Sequence, residues 1–87
     1  MYEIQTTGVF NKSFDKLPKG AQKEVMVLLG ILAIDYRDQR LHSKKLHGNL
    51  IEYSFRIRRD YRCIFCFEDG NTILLLDIAH RKDIYKK

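Results

Sequence analysis

The spacing of hydrophobic and polar positions along this chain changes from the period of a strand to that of a helix and back again. Residues 2–6 (YEIQT) alternate and contain β-branched and aromatic side chains, which is typical of a short strand. A helix is predicted next, with Thr6 or Thr7 as its candidate cap. The apolar stripe of this helix consists of Phe10, Phe14 and Leu17.

A second helix is predicted from about residue 18 to residue 36. Pro18 disfavours helical geometry at Leu17 and is itself suited to a first helical turn, so it separates the two helices. Gly30 costs about 1 kcal/mol relative to Ala inside a helix, which indicates either close packing at that point or simple tolerance. The side predicted to face the core consists of Ala21, Val25, Leu28, Leu29, Leu32 and Tyr36.

Three strands are predicted in the second half of the chain, at about residues 50–58, 61–68 and 72–80. The sequence DGN between the last two is a tight-turn signal, whereas the connection RD between the first two lacks glycine. Short connections imply antiparallel neighbours. The predicted class is therefore α+β: an N-terminal strand, then a two-helix hairpin packed on a mainly antiparallel sheet that ends in a three-strand meander.

Length and composition predict one domain, residues 1–87, that is soluble and cytoplasmic. Eighty-seven residues with 45% hydrophobic content suffice for a single small core. The start of the chain has neither the basic nor the continuous apolar region of a signal peptide, and no apolar run approaches the roughly 20 residues that a bilayer requires. No membrane association is expected, and two cysteines do not make the disulfide framework of a small secreted domain.

The net charge of +5 is concentrated in two basic blocks. Residues 1–36 balance four lysines against four acidic residues, whereas residues 37–62 hold eight basic and three acidic ones. Residues 63–79 contain no Lys or Arg, and four basic residues follow in 80–87. Such blocks bind polyanions by displacing counterions, and nucleic acid is the commonest polyanion in a cell. The other interpretation is a solvated face that only confers solubility.

Cys63 and Cys66 have the CxxC spacing of metal and redox sites, but a strand would place them on opposite faces. Side chains three apart on a strand point in opposite directions, so the two thiols cannot meet or share a metal. A zinc site also needs two further ligands, and no second cysteine pair exists. Both cysteines are expected to be small apolar residues of a central strand, and no metal or cofactor is expected.

The same alternation predicts a cationic face on the sheet. Arg56 and Arg58 share one face of the first meander strand, and Arg62 joins them from the next strand if the aromatic set packs against the helices. Like charges without a partner are costly to desolvate, so this face should be open to water or to an anion. The planar fork of arginine suits phosphate oxygens. The alternative is surface pairing with Glu52 or Asp60.

The last predicted strand ends in IAHRKDIY, which contains His80, Arg81 and Tyr85. His80 is the histidine best placed for proton transfer, because an unperturbed imidazole titrates near neutral pH. Tyr85 is suited either to stacking on a base or to donating a proton. A lone histidine is more often structural or merely exposed.

In element order, nearly the whole chain resembles the RelE/ParE superfamily of toxins from bacterial and archaeal type II toxin-antitoxin systems. The similarity is strongest over KKLHGNLIEYSFRIRRDYRCIFCF, the acidic turn and TILLLDIAHRKDIY. The most specific pieces are DYR on the middle strand and HRKDIY at the end, in the order and spacing of that superfamily.

This resemblance implies a RelE-like fold and a toxin held inactive, in a hetero-oligomer, by an antitoxin encoded in the adjacent gene. RelE-like members enter the ribosomal A site and cut messenger RNA, whereas ParE-like members inhibit DNA gyrase. The RelE-like branch is favoured, which implies a metal-independent endoribonuclease (an mRNA interferase) in which a ribose 2′-OH of ribosome-bound mRNA attacks the adjacent phosphate. The catalytic residues that the resemblance implies are Arg56, Arg62, His80, Arg81 and Tyr85.

Four further basic residues are expected to hold the RNA backbone without reading its sequence. They are Lys44, Lys45, Arg58 and Arg59. Ser54 occupies what looks like a lysine position of RelE itself, so one positive charge is missing and the choice of general acid and base stays open. The alternative functions are a non-enzymatic ParE-like inhibitor of DNA gyrase and an inactivated relative that only binds RNA.

Overall fold

The computed structural model describes residues 1–46 and 52–84, and its elements follow the predicted order. Their bounds are β1 Glu3–Thr6, α1 Gly8–Asp15, α2 Lys19–Ile34, β2 Lys44–Lys45, β3 Glu52–Ile57, β4 Tyr61–Phe67, β5 Thr72–His80 and α3 Arg81–Ile84. A single 3-10 turn lies between α2 and β2. The α+β class is confirmed. β2 and α3 were not predicted, because elements of two and four residues are too short to show a period.

The five strands form one sheet in the order β1-β5-β4-β3-β2. β1 lies parallel to β5, and the other neighbouring pairs are antiparallel, so the predicted meander of β3, β4 and β5 is confirmed. The helical hairpin crosses from β1 at one edge of the sheet to β2 at the other, and the meander then returns across the sheet until β5 lies beside β1. The predicted start of the meander at residue 50 lies outside the described residues.

Thr7 fixes the start of α1 and joins this helix to the sheet. Its Oγ1 accepts a hydrogen bond from the N–H of Phe10 at 3.1 Å. The single proton of this hydroxyl is shared between the carbonyl oxygens of Leu75 and Leu76, each 3.1 Å from Oγ1. Of the two predicted caps, Thr7 is therefore the one that satisfies the helix start.

α2 begins directly after Pro18, as predicted, and ends at Ile34, two residues before the predicted end. The backbone of Asp35 is already extended. Tyr36 therefore lies beyond the helix, where its ring packs edge-on against that of Phe67 with centroids 5.0 Å apart. Within the described ranges, no helix has the length and apolar character needed to cross a membrane.

The helices pack on one face of the sheet and enclose a single core with its inward side chains. Gly30 does not contribute to this packing, since a Cβ built there would meet no atom within 4 Å. This glycine is therefore tolerated by the helix rather than required by a close contact. The core consists of Phe10, Leu17, Ala21, Val25, Leu28, Leu32, Leu41, Phe55, Ile57, Cys63, Phe65, Ile73, Leu75 and Ile78.

A β-bulge in β5 changes which of its side chains face the helices. The register pairs Phe65 with Leu75. The next pair is Ile64 with Asp77, so β5 has one residue more than β4 at this point. Strict alternation cannot bury residues three apart, yet Leu75 and Ile78 are both fully buried. Beyond Asp77, the residues Ile78 and His80 lie on the same face of the sheet as their partners Cys63 and Tyr61.

The turn between β3 and β4 places Arg58 differently from the prediction. Arg58 has a left-handed backbone with φ of 55°, because β3 ends one residue earlier and the chain reverses here. Its Nε lies 3.5 Å from Glu24 Oε2 on α2, and its Nη2 lies 2.9 Å from where a Cβ would stand at Gly20. The prediction that Arg58 shares a face with Arg56 and Arg62 is therefore wrong.

We expect Arg58→Gly to raise the free energy of unfolding by about 0.5 kcal/mol, because glycine adopts the left-handed conformation without the steric cost of a side chain. The exposed ion pair with Glu24 that is lost contributes little. Urea unfolding followed by circular dichroism measures the change. Arg59→Gly in the same turn is the control and should lower stability. A clear loss in Arg58→Gly would show that its contacts with α2 outweigh the backbone cost.

Candidate functional site

Two arginines lie side by side on the sheet face opposite the helices. Arg56 on β3 is the direct cross-strand partner of Arg62 on β4. Their neighbours Phe55 and Ile57 are fully buried on the helix-covered face, whereas both arginines are half-buried. The prediction that these two side chains share the face away from the core is confirmed.

This arginine pair has no carboxylate partner in residues 1–46 and 52–84, so the predicted alternative of pairing with Glu52 or Asp60 is not observed there. Side chains directly opposite each other on antiparallel strands have Cβ atoms roughly 5 Å apart, and like charges at that distance destabilise the sheet. Arg62 Nη1 makes one long hydrogen bond, 3.5 Å, to the carbonyl of His42. An anion bound by both guanidinium groups would relieve their repulsion.

The four residues predicted to hold an RNA backbone do not form one surface. Lys44 lies on the same face as Arg56, and Lys45 lies on the helix-covered side. Arg58 is directed to α2, and Arg59 is exposed in the turn. Of these four basic residues, Lys44 is therefore the one that lies on the same face of the sheet as the arginine pair.

Ser54 also lies on this face, two residues before Arg56 on β3, and its side chain is fully buried. The resemblance puts a lysine at this position in RelE. A buried hydroxyl carries no charge, so the two arginines are the main cations that the central strands supply.

Arg81 begins α3 just beyond the end of β5. Ala79, two residues earlier, is the direct partner of Arg62, so the two chain segments run side by side here. The N–H of Arg81 donates to the carbonyl of Asp60 at 2.6 Å, which fixes its backbone beside the turn that precedes β4. Its side chain is exposed. Tyr85, the last member of the predicted site, lies outside the described residues.

His80 faces away from the arginine pair. Its partner on β4 is Tyr61, which lies on the same strand face as the fully buried Cys63 and packs against the core. The rings of Tyr61 and His80 meet edge-on, with centroids 5.9 Å apart. His80 Nδ1 lies 3.1 Å from the N–H of Lys82, from which it accepts a hydrogen bond. The structure thus places the predicted histidine on the other face of the sheet from Arg56 and Arg62.

Cys63 and Cys66 lie on opposite faces of β4, as predicted. Burial raises the pKa of the Cys63 thiol well above its usual range, and the Asp77 carboxylate adds to this. Burial also raises the pKa of Cys66, with a further contribution from the Glu52 carboxylate. Neither thiol is therefore an activated nucleophile. In the described part of the chain, no three His, Cys, Asp or Glu side chains cluster as metal ligands would.

Two features of the site were not found from the sequence. The contact of Arg62 with the His42 carbonyl depends on a left-handed residue, His42, with φ of 48° after the 3-10 turn. No periodic signal marks this polar segment. The separation of His80 from the arginine pair depends on the bulge in β5, and only Leu75 and Ile78, apolar residues three apart, hint at that irregularity.

Solved structures of RelE-type toxins have the same fold. The archaeal RelE in the RelE-RelB complex of Pyrococcus horikoshii matches with a TM-score of 0.78 and 24% identity, over 92% of this chain and 94% of that chain. The E. coli RelBE toxin-antitoxin complex matches with a TM-score of 0.73 and 17% identity, over 91% and 95%. A YoeB/ParE toxin from Agrobacterium tumefaciens matches with a TM-score of 0.78 and 11% identity, over 91% and 98%.

No protein-family model and no curated protein sequence matches this chain. At the identities of the solved structures, the likeness establishes the fold: the chain has the RelE-like fold that its sequence predicted. Because a protein named YoeB/ParE shares this fold with RelE, the fold alone does not select an activity.

Arg62→Gln is expected to raise the melting temperature at low ionic strength by roughly 2–4 °C, because it removes one of two facing like charges. Added inorganic phosphate should then raise the melting temperature of the wild type more than that of the variant, since two guanidinium groups bind it better than one. Scanning fluorimetry measures both effects. Lys12→Gln on α1 removes the same charge elsewhere and should respond to phosphate like the wild type. Equal responses in wild type and Arg62→Gln would contradict an anion site.

Proposed function

We propose that this protein is the toxin of a type II toxin-antitoxin system and a ribosome-dependent mRNA endonuclease that inhibits translation in the cytoplasm. The observation that carries the proposal is the arginine pair, Arg56 and Arg62, which face each other without a carboxylate partner in the described residues. The RelE-like fold and the sequence pieces DYR and HRKDIY support it.

The proposed reaction is attack of a ribose 2′-OH on the adjacent phosphorus. The bond from phosphorus to the 5′-oxygen breaks, which leaves a 2′,3′-cyclic phosphate and a free 5′-OH. Extra negative charge develops on the non-bridging oxygens, and Arg56 and Arg62 offer two planar sets of donors to them. Removing one preorganised donor of this kind typically costs about 10²–10³ in rate. The exposed Arg81 at the start of α3 would supply a third positive charge.

Proton transfer in this reaction needs a group besides the arginines, which do not lose a proton in proteins. His80 faces the helices, so this role falls to Tyr85 or to groups of the ribosome. Lys44 and Arg59 would hold the RNA backbone on either side of the cut. The ribosome would supply the orientation of the message, and orientation alone accounts for a large part of such a barrier.

Arg56→Ala and Arg62→Ala should each lower the rate of message cleavage by about 10²–10³, because each removes a donor for the charge of the transition state. The measurement is mapping of message 5′ ends after incubation of the purified protein with translating ribosomes. Codon-phased cuts are expected from the wild type and from Lys12→Ala, whose side chain lies on α1 away from the site. Loss of activity without loss of melting temperature separates chemistry from folding.

The same protein samples are tested for inhibition of DNA gyrase in a supercoiling assay. Intact message together with blocked supercoiling would overturn the endonuclease proposal in favour of a ParE-like inhibitor. Intact message with normal supercoiling, but retained RNA binding, would instead indicate an inactivated relative.

We further propose that the antitoxin lays an amphipathic segment into an apolar groove on the helical side of the molecule. The groove has a volume of about 470 Å³ and is lined mainly by Ile4 of β1, Phe10 and Phe14 of α1, and Met26 and Leu29 of α2. Met26, which lines both this groove and its continuation, is 61% exposed. A covering partner would bury this surface.

The chemistry of the groove specifies its partner more closely. A second concavity shares Phe14 and Met26 with the first and is lined by Lys19 and Lys23. The partner segment is therefore expected to be apolar on one side with acidic residues beside it. RelE-RelB and RelBE structures, which share this fold, are complexes of a toxin with its antitoxin, and this supports an antitoxin as the occupant.

Met26→Glu should weaken antitoxin binding by at least about tenfold, because it puts a negative charge in an apolar groove that receives an acidic partner. Met26→Lys introduces a side chain of similar size and opposite charge, so it should lose less of the affinity for the antitoxin. Val27→Glu is the control, since Val27 is 65% exposed on the same helix and does not line the groove. Titration of the purified product of the adjacent gene, followed by calorimetry, measures the affinities. Equal affinities of Met26→Glu and Val27→Glu would exclude the groove.

A further inference from the structure

His80 is held between the core and the first turn of α3. It is the last residue of β5, and the bulge in that strand turns it to the side of Tyr61, whose ring it meets edge-on. On the other side of the strand, Ala79 is the residue that lies opposite Arg62. The imidazole is therefore packed at the end of the helix-covered face and does not project over the arginine pair.

The hydrogen bond to His80 has the geometry of a helix N-cap. Arg81 and Lys82 are the first two residues of α3, and the N–H of Lys82 donates to His80 Nδ1 at 3.1 Å. A cap residue satisfies the N–H of the second or third helical residue in this way. The N–H of Arg81 donates to the Asp60 carbonyl at 2.6 Å. Two bonds thus fix the first turn of α3 and, with it, the backbone of Arg81.

This hydrogen bond restricts the proton chemistry of the ring. Nδ1 accepts, so it carries no proton, and the single proton of the neutral ring is on Nε2. A general base needs a free lone pair, and neither nitrogen has one in this arrangement. A general acid would need a second proton on Nδ1, which would place two N–H groups face to face and break the cap.

We propose that His80 is a positioning residue that caps α3 and holds Arg81 beside Arg62, and that it is not the proton-transfer group of the site. The part of this proposal that concerns cleavage rests on the proposed function. The part that concerns structure rests only on the hydrogen bond from the Lys82 N–H to His80 Nδ1. It assigns to this histidine a role that asparagine can also perform, because the Oδ1 of Asn stands where Nδ1 stands and asparagine is among the best N-cap residues.

Two variants of His80 distinguish positioning from proton transfer in the ribosomal cleavage assay. His80→Asn keeps an acceptor at the cap and removes the imidazole, and it should cleave within about threefold of the wild type. His80→Gln moves the acceptor to the place of Nε2, so the cap is lost. Its kcat should fall by about fivefold to tenfold, the fold-change that corresponds to the free energy of a lost cap, and its KM should be unchanged. Lys12→Gln on α1, away from the site, is the control and should behave as the wild type. Loss of activity in both His80 variants, or in neither, would overturn the proposal.

Nuclear magnetic resonance tests the cap without reference to cleavage. In the wild type, the ¹⁵N signals of His80 should show the tautomer with its proton on Nε2, and the Lys82 amide should exchange slowly with solvent. Slow exchange should persist in His80→Asn, whose melting temperature should stay close to the wild type. It should be lost in His80→Gln, whose melting temperature should fall by roughly 4–8 °C, the shift expected for the loss of a cap in a domain of this size. A rapidly exchanging Lys82 amide in the wild type would refute the cap. If the wild type does not cut ribosome-bound message but its Lys82 amide exchanges slowly, the proposed function would be refuted and the capping role of His80 would be supported.

Discussion

The β-bulge in β5 is the constraint on which the C-terminal end of this fold depends. It allows Leu75 and Ile78, three residues apart, to enter the same core, and burying a side chain such as isoleucine stabilises a fold by about 1.5–3 kcal/mol. A bulge leaves backbone polar groups without a ladder partner, and Thr7, the cap of α1, supplies a hydrogen-bond donor here. Thr7 Oγ1 lies within hydrogen-bonding distance of the Leu75 and Leu76 carbonyls.

The Asp77 carboxylate completes this arrangement. Asp77 is only 8% exposed and accepts hydrogen bonds from Ser13 Oγ on α1 and from the N–H of Ile78, both at 2.8 Å. A buried carboxylate is costly unless it is hydrogen-bonded, so α1, Asp77 and the bulge stabilise one another. The same bulge directs Ala79 rather than His80 toward the face of Arg62. The division of the C-terminal residues between the two faces is therefore fixed by core packing some distance from the site.

The sequence was sufficient wherever one regular period extends over several residues. It predicted the three long strands, the helix-covered face of β3 and β4, and the separation of Cys63 from Cys66, since each depends on alternation within an uninterrupted strand. Alternation also placed Arg56 and Arg62 together. It failed for Arg58, because that residue lies one position past the strand in a left-handed conformation that no pattern of apolar residues encodes.

The end of β5 was beyond sequence reasoning for a related reason. A bulge inverts every later side chain, and its presence is decided by tertiary packing of Leu75 and Ile78 against the helices. His80 looked suited to proton transfer because imidazole chemistry was considered without its surroundings. Its contacts with Tyr61 and with the N–H of Lys82 are the surroundings on which the proposed capping role rests. Local patterns predicted which residues are near one another, and packing determined which of them face the same way.

Under the proposed function, the positions of the two proposed surfaces constrain how an antitoxin could inhibit this protein. The apolar groove lies between β1, α1 and α2, whereas the arginine pair lies on the other side of the sheet. A segment that only filled the groove would leave Arg56 and Arg62 open to a phosphate. Inhibition by covering the site would therefore need a second segment that continues around an edge of the sheet to the other face. The two facing arginines repel each other, and carboxylates on that second segment would relieve this repulsion. Such a segment would therefore bind more tightly than a neutral one. Under the proposed function, the charge repulsion that suits the site to a phosphate would also suit it to an acidic inhibitor.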